Sequence, residues 1–197
     1  AEIFRSHALL AAELTRTFQP LKHLGDYLQF GYYPFFAENR KTYHIRLEQV
    51  VKMIIETDLR YIEGFDGSNI RKVYQLLYLI ATNVPFKPNI TALSAKTGIH
   101  RNTLVQYLQH LERARLVNLL YPAGSSISTL QKPGKIYLEN TNLQFALSPS
   151  SVNAGTLRET FILNQLLSAG HAVGVPSAGD FRIDESFTIE VGGKDRK

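Results

Sequence analysis

Apolar residues recur at helical spacing over much of the chain, which predicts a mostly α-helical protein. Before residue 90, the expected helices run over Glu2–Phe18, Leu21–Phe30, Tyr43–Leu59 and Ile70–Thr82. Pro20 is expected to end the first helix and Asn69 to cap the fourth. The apolar face of the first helix consists of Ile3, Leu10, Leu14 and Phe18.

Two short segments separate these helices. The aromatic segment GYYPFF (Gly31–Phe36) is expected to hold two helices together, and stacking on a base or ring is the alternative. The segment EGFDGS (Glu63–Ser68) is the best candidate for an internal boundary.

The stretch Asn89–Tyr121 predicts a helix-turn-helix that runs into a strand. Thr91 is expected to cap a short helix over Ala92–Thr97, and Gly98 to supply the left-handed residue of the turn. A second helix begins near Arg101. Its apolar side consists of Leu104, Val105, Leu108 and Leu111.

Strands are expected over Leu116–Tyr121 and Lys135–Leu138, and with the helix-turn-helix they give the order of a winged helix. Between them, Pro122–Gly134 is rich in Gly and Ser and is interpreted as a long, mobile wing loop.

After the second strand, a short helix over Asn140–Leu147, a linker over Ser148–Gly155 and a helix over Leu157–Ser168 are expected. The last helix should bury Leu157, Phe161, Leu166, and Leu167 or Ile162. The alternating segment Gly179–Val191 predicts a β-hairpin. The predicted fold class is therefore mainly α with small β elements (α+β). Its three parts are a helical subdomain (1–62), a winged helix (63–147) and a small α/β segment (148–197).

The second helix of the helix-turn-helix directs polar side chains away from its apolar side. Asn and Gln side chains there can pair with adenine edges in a major groove, and Arg can pair with guanine or phosphate. The candidate nucleic-acid contacts are Arg101, Asn102, Thr103, Gln106, His110 and Arg113, with Lys132 and Lys135 of the wing. Two alternatives stay open: an ordinary solvated face, and a winged helix that binds protein.

Composition narrows the function classes. The chain has no cysteine, which excludes disulfides and thiolate metal sites. A net charge of +5 favours polyanionic partners, and we take this charge to be spread along the chain. No apolar run is as long as a membrane helix, and no signal-peptide pattern opens the chain. The absence of cysteine fits a reducing compartment, so we expect a cytoplasmic protein. The start at Ala1 and the charged end Lys194–Lys197 suggest a piece of a longer protein.

Motifs for familiar enzyme chemistry are missing. The Gly-Lys pairs at 134–135 and 193–194 lack the rest of a phosphate-binding loop, and the six histidines show no metal-ligand spacing. One acidic set stands out, namely Glu159, Asp180 and Glu190 with Lys194. Carboxylates in this order can bind a divalent cation, with the lysine stabilising charge on a phosphate.

Each member of this set also has a plain interpretation. Glu159 can complete a capping box with Thr156, and Asp180 can be a turn residue after Gly179. Glu190 and Lys194 can face solvent.

The order of several segments resembles the C-terminal region of prokaryotic (archaeal-type) AAA-superfamily ATPases. These segments are LGDYLQFGYYPFF, IIETDL, the winged helix, LQKPGKIYLENTNLQFAL, GTLRETFILNQLL and GDFRIDESFTIEVGGK. The resemblance implies a P-loop ATPase core upstream of Ala1, a helical lid, a winged helix and a restriction-endonuclease-like piece. It also implies ATP and Mg²⁺ as cofactors of the full-length protein, with none bound by this chain.

In that resemblance, Glu159 matches the helix acid of the nuclease-like fold, Asp180 the strand aspartate and Glu190 the acid of an E-x-K element. Gly192 stands where the family has lysine, and Lys194 comes two residues later. Each two-residue step on a strand adds roughly 6.6 Å, so Lys194 reaches the site only across a bulge.

The sequence therefore predicts a non-catalytic regulatory portion of an ATPase, with DNA as its partner. A divalent-metal-dependent nuclease module and a protein-interaction module are the alternatives. The oligomeric state and the biological context, such as a toxin–antitoxin or defence system, are left open.

Overall fold

Helices dominate this computed structural model, which describes residues 2–57, 67–124 and 132–192, and two small antiparallel sheets accompany them. The predicted α+β fold class is confirmed. The helices are α1 (Glu2–Leu14), α2 (Pro20–Phe30), α3 (Tyr43–Glu56), α4 (Ile70–Ala81), α5 (Ile90–Thr97), α6 (Arg101–Arg113), α7 (Thr141–Leu147) and α8 (Ala154–Ser168). The strands are β1 (Val117–Leu120), β2 (Lys135–Leu138), β3 (Val173–Gly174), β4 (Phe181–Ile183) and β5 (Phe187–Ile189).

The first two helices differ from prediction in their ends and their packing. Helix α1 ends at Leu14 rather than Phe18, and Pro20 begins α2, because proline fits the first turn of a helix. The apolar face predicted for the first helix is largely exposed, since Leu10, Leu14 and Phe18 are 39%, 64% and 52% exposed. An amphipathic pattern predicts an apolar face but does not specify which surface covers it.

Helices α3 and α4 contribute much of the core. The buried side of α3 consists of Tyr43, Leu47, Val51 and Ile55. The buried side of α4 consists of Val73, Leu76, Leu77, Ile80 and Ala81. Helix α3 packs against α4 and α7, so contacts cross the boundary predicted near residue 62, and α7 contacts α8 across the boundary predicted near residue 147. The division into three domains stays a prediction. No helix within the described residues is long and apolar enough to cross a membrane.

The helix pair α5–α6 forms as predicted, apart from its first cap. The Asn89 Oδ1 accepts the amide N–H of Ala92 at 3.1 Å, so Asn89 caps α5 and the predicted cap at Thr91 is wrong. Asn89 was the better candidate because Ile90, which follows it, is already helical and buried. Gly98 has φ of 63°, and this left-handed residue makes the turn into α6.

The strands β1 and β2 form an antiparallel pair, with Val117 opposite Leu138 and Leu120 opposite Lys135. Phe86 exchanges two backbone hydrogen bonds with Ile136, at 2.8 and 2.9 Å, on the other side of β2. Part of the predicted wing loop, residues 125–131, lies outside the described residues.

The predicted C-terminal hairpin is confirmed as β4 and β5, and β3 completes its sheet. Strand β3 was not predicted, because two residues are too few to form a recognisable pattern. Backbone hydrogen bonds from Ala123 to Val175 and from Val175 to Tyr121 join this sheet to the end of β1.

Helix α8 begins three residues earlier than predicted and turns a more polar face inward. Asn153 caps it by accepting the Thr156 amide at 3.0 Å. Four of the predicted core residues (Leu157, Phe161, Ile162 and Leu167) are half-buried, whereas Leu166 is buried as predicted. The buried face consists of Thr156, Glu159, Thr160, Leu163, Asn164 and Leu166. Hydrophobic spacing fails here because Thr156, Glu159 and Asn164 bond to neighbouring elements, as Thr156 does to the Val84 carbonyl at 3.1 Å.

Leu108 is fully buried, so its substitution tests which side of α6 faces the core. Leu108→Ala should destabilise the fold by about 2–5 kcal/mol, because it removes buried methyl groups and leaves a cavity. Urea denaturation measures this, with the exposed Gln106→Ala on the same helix as control. Equal midpoints for the two variants would contradict the packing of α6.

Candidate nucleic-acid interface

The position of helix α6 is determined by the packing of its apolar side. Leu104, Tyr107, Leu108 and Leu111 pack inward, and α6 contacts α5 and β1. The turn before α6 is fixed by the Ser94 hydroxyl, which donates to the Ile99 carbonyl at 2.6 Å. The orientation of α6 is therefore set by packing on one side and by the turn at its start.

The outward side of α6 is a polar stripe. Asn102, Gln106 and Arg113 are exposed, and Gln109 lies between them, half-buried. Their spacings of four, three and four residues place them in one row along the helix, opposite the buried leucines. Amide and guanidinium groups in such a row match the hydrogen-bonding edges of adenine and guanine in a major groove.

Positive groups gather at the start of α6. Arg101 is its first residue and is exposed. The Lys72 ammonium, carried by α4, donates to the Gly98 carbonyl at 3.2 Å, which places it beside the turn. The partial positive charge of a helix N-terminus adds to these cations, so this end of α6 suits a phosphate.

Two predicted contacts lie at the edge of the stripe. Thr103 and His110 are both half-buried. Burial, and then the nearby Arg113, lower the pKa of His110, so its imidazole is neutral at physiological pH. His110 can therefore offer hydrogen bonds but no charge.

The positive charge is concentrated in one segment. Residues 67–147 contain nine Lys/Arg and two Asp/Glu, a net charge of +7, whereas residues 1–66 and 148–197 each carry −1. The expectation that charge is spread along the chain is therefore wrong. The two acids of the segment are engaged: Glu112 accepts the Leu119 amide at 2.9 Å, and Glu139 is buried beside Arg115.

The two lysines predicted to lie in the wing have different surroundings. Lys132 is exposed, which leaves it accessible to a phosphate. Lys135 is buried, and its ammonium lies 3.6 Å from an Asp180 carboxylate oxygen and 3.4 Å from the Asp180 carbonyl. The prediction that Lys135 contacts phosphate does not fit this arrangement, because the charge is already paired inside the protein.

Most of the predicted acidic set takes part in structural contacts. Glu159 is buried and accepts the Tyr137 hydroxyl at 2.8 Å, while Asp180 accepts the Val191 amide at 2.8 Å. The predicted capping box at Thr156–Glu159 is wrong, because Asn153 caps α8 and Glu159 points into the core. Glu190 is exposed, and Lys194 lies outside the described residues.

The carboxylates are not assembled for a metal. No group of three or more His, Asp or Glu side chains in the described ranges is arranged to hold an ion. Tyr137 instead donates to Glu159, and its pKa is raised by burial first and then by the Glu159 and Asp180 carboxylates. The Tyr137 phenol therefore stays protonated and donates to Glu159.

The residues around Tyr137 were missed by sequence reasoning. Tyr137 is fully buried, and its ring lies 5.6 Å from that of Phe181. The segment KIYL does predict a strand, but no sequence signal links its tyrosine to an acid 22 residues later.

Tyr137→Phe should lower the free energy of unfolding by about 1–3 kcal/mol, because the buried Glu159 loses its hydroxyl donor. Urea denaturation measures this, and Tyr78→Phe, at a 56% exposed tyrosine, should change little. Magnesium should leave the wild-type midpoint unchanged. A rise with Mg²⁺ that Asp180→Asn abolishes would instead support a metal site.

Comparison with known proteins gives a family and a relative. The chain is similar to the uncharacterized protein MJ1637 of Methanocaldococcus jannaschii, at 29% identity over 111 residues. This match covers 56% of the chain but only 24% of that protein. No solved structure matches the chain. The model of a domain family of unknown function, DUF8612, matches residues 21–154, which span α2 to the start of α8. The chain therefore belongs to the DUF8612 family.

Proposed function

We propose that this chain is a non-catalytic, DNA-binding module that acts in the cytoplasm, with helices α4–α6 and strands β1–β2 as a winged helix. The observation that carries the proposal is that the excess positive charge and the polar stripe of α6 lie in the same segment of the chain. The net +7 lies in the segment whose helix α6 exposes Asn102, Gln106 and Arg113. Basic segments of this kind bind the phosphate backbone, and amide side chains read bases.

In this proposal the contacts have separate roles. Arg101 and Lys132 neutralise phosphates, and Gln106 and Asn102 read base edges. Arg113, near the end of α6, reaches a guanine or a phosphate. Thr103 and His110 border the row and contribute hydrogen bonds.

The resemblance to AAA-superfamily ATPases adds a second part to the proposal. In a longer protein of that kind, an upstream core would bind ATP and Mg²⁺, and this chain would couple nucleotide turnover to DNA. The acidic set supports a structural role better than catalysis, because Glu159 and Asp180 are occupied by Tyr137, Lys135 and a backbone amide.

If Arg101 and Lys132 contact phosphates, removing either side chain should reduce the salt dependence of DNA binding. Arg101→Ala and Lys132→Ala should each weaken binding to any duplex and lower the salt slope by about one. Fluorescence anisotropy with a mixed pool of DNA duplexes, at several salt concentrations, measures this. Lys52→Ala removes an exposed lysine outside the basic segment and should change neither quantity.

Gln106→Ala should behave differently. If Gln106 reads adenine, its loss should cost about 1–3 kcal/mol on one preferred sequence and little on others. Selection from a random duplex pool, followed by anisotropy on the selected site, supplies the comparison. If wild type binds no duplex even at low salt, the DNA proposal fails, and the α6 face is a protein-docking surface.

A further inference from the structure

A cavity of about 320 Å³ lies where four segments of the chain meet, apart from the α6 stripe. None of the proposed DNA contacts lines it. Its volume falls at the lower end of the range of small-molecule sites. The lining residues are Tyr32, Tyr33, Arg115, Glu139, Leu167 and Ser168.

Glu139 gives this cavity an unused acceptor. Its side chain is only 8% exposed, its Oε1 lies 3.6 Å from an Arg115 guanidinium nitrogen, and its Oε2 is buried without a hydrogen-bond partner. Its backbone carbonyl accepts the Asn164 amide at 3.0 Å, which fixes the residue in place. A buried carboxylate oxygen without a donor is uncommon and unfavourable, so a donor supplied by a ligand would satisfy it.

Arg115 occupies a position that glycine normally fills. It follows α6 with φ of 57°, and the Leu116 amide donates back to the Leu111 carbonyl at 2.9 Å, as at many helix ends. A left-handed arginine is strained, and such residues concentrate at functional sites. Its side chain is 74% exposed and only loosely paired with Glu139, so it can turn toward an anion.

Tyr32 and Tyr33 form an aromatic wall. Their ring centroids are 5.0 Å apart in an edge-to-face arrangement. The Asn164 amide donates to the Tyr32 hydroxyl at 3.1 Å, and the Asn140 amide donates to the Tyr33 hydroxyl at 2.9 Å. Both rings are therefore held in place beside the Glu139 carboxylate.

We propose that this cavity binds a free guanine nucleotide. The base donates its N1–H and N2–H to Glu139, its ring contacts the tyrosine pair, and its phosphate meets Arg115. Guanine alone among the common bases offers two adjacent N–H donors on its pairing edge. Adenine places an acceptor, N1, beside its amino group, and a carboxylate would repel that acceptor. The site needs no phosphate-binding loop, because Arg115 supplies the anion contact.

Isothermal titration calorimetry of the full chain with GMP tests the proposal. GMP should bind with a Kd below about 1 mM, and AMP should bind at least about tenfold more weakly. No saturable GMP binding at millimolar concentration, or equal affinity for AMP, would overturn the guanine assignment.

Two substitutions separate binding from folding. Glu139→Gln keeps the shape but replaces one acceptor with a donor, and it should weaken GMP binding about tenfold or more. Arg115→Gly should weaken GMP binding while leaving the thermal midpoint unchanged or higher, because glycine adopts the left-handed conformation freely. Arg115→Lys keeps the charge and should retain part of the affinity.

Lys52→Ala serves as the control and should leave GMP affinity unchanged. GMP binding that survives both Glu139→Gln and Arg115→Gly would overturn the site. The DNA measurements are independent, since Glu139→Gln should leave duplex binding as in wild type.

Discussion

The fully buried amide of Asn142 is the interaction on which the arrangement of the helices depends. Its Oδ1 accepts the backbone N–H of Tyr32 and the Tyr43 hydroxyl, and its Nδ2 donates to the Leu28 and Tyr27 carbonyls at 2.7 and 3.3 Å. Both donors and both acceptor sites of the amide are used, so its burial carries no uncompensated cost. Removing any one partner would leave a buried polar group unsatisfied.

The Asn142 amide also supplies hydrogen bonds to the carbonyl groups at the C-terminal end of α2. The last carbonyls of a helix have no partner inside it. Here Thr141 and Asn142 reach the Leu28 carbonyl, and the His44 ring contacts the Gln29 carbonyl at 2.9 Å. Gly31 permits the tight exit that follows, because a Cβ there would lie 2.8 Å from the Tyr27 Cα. The aromatic segment is thereby fixed between α2, α3 and α7, as the sequence predicted in outline.

A feature could be predicted from the sequence when it depends on residues that are neighbours along the chain, and not when it depends on distant ones. The phase of α6, the turn at Gly98 and the C-terminal hairpin depend on neighbouring residues, and these predictions agree with the structure. The caps at Asn89 and Asn153 were missed because Thr91 and Thr156 compete as local caps, and only the path of the chain decides between them. The inward polar face of α8, the pairing of Lys135 with Asp180 and the exposed leucines of α1 depend on distant elements, which periodicity does not describe.

The two proposed sites share one framework. Arg115 lies two residues beyond Arg113 of the α6 stripe, and Glu139 directly precedes the Asn140–Asn142 segment that holds α2 and the tyrosines. A nucleotide that moved Arg115 would therefore act at the end of the proposed recognition helix. If nucleotide changes the affinity for DNA, DNA must change the affinity for nucleotide by the same factor. The left-handed backbone at Arg115 connects the two sites directly, because the amide of the next residue, Leu116, donates to the Leu111 carbonyl of α6.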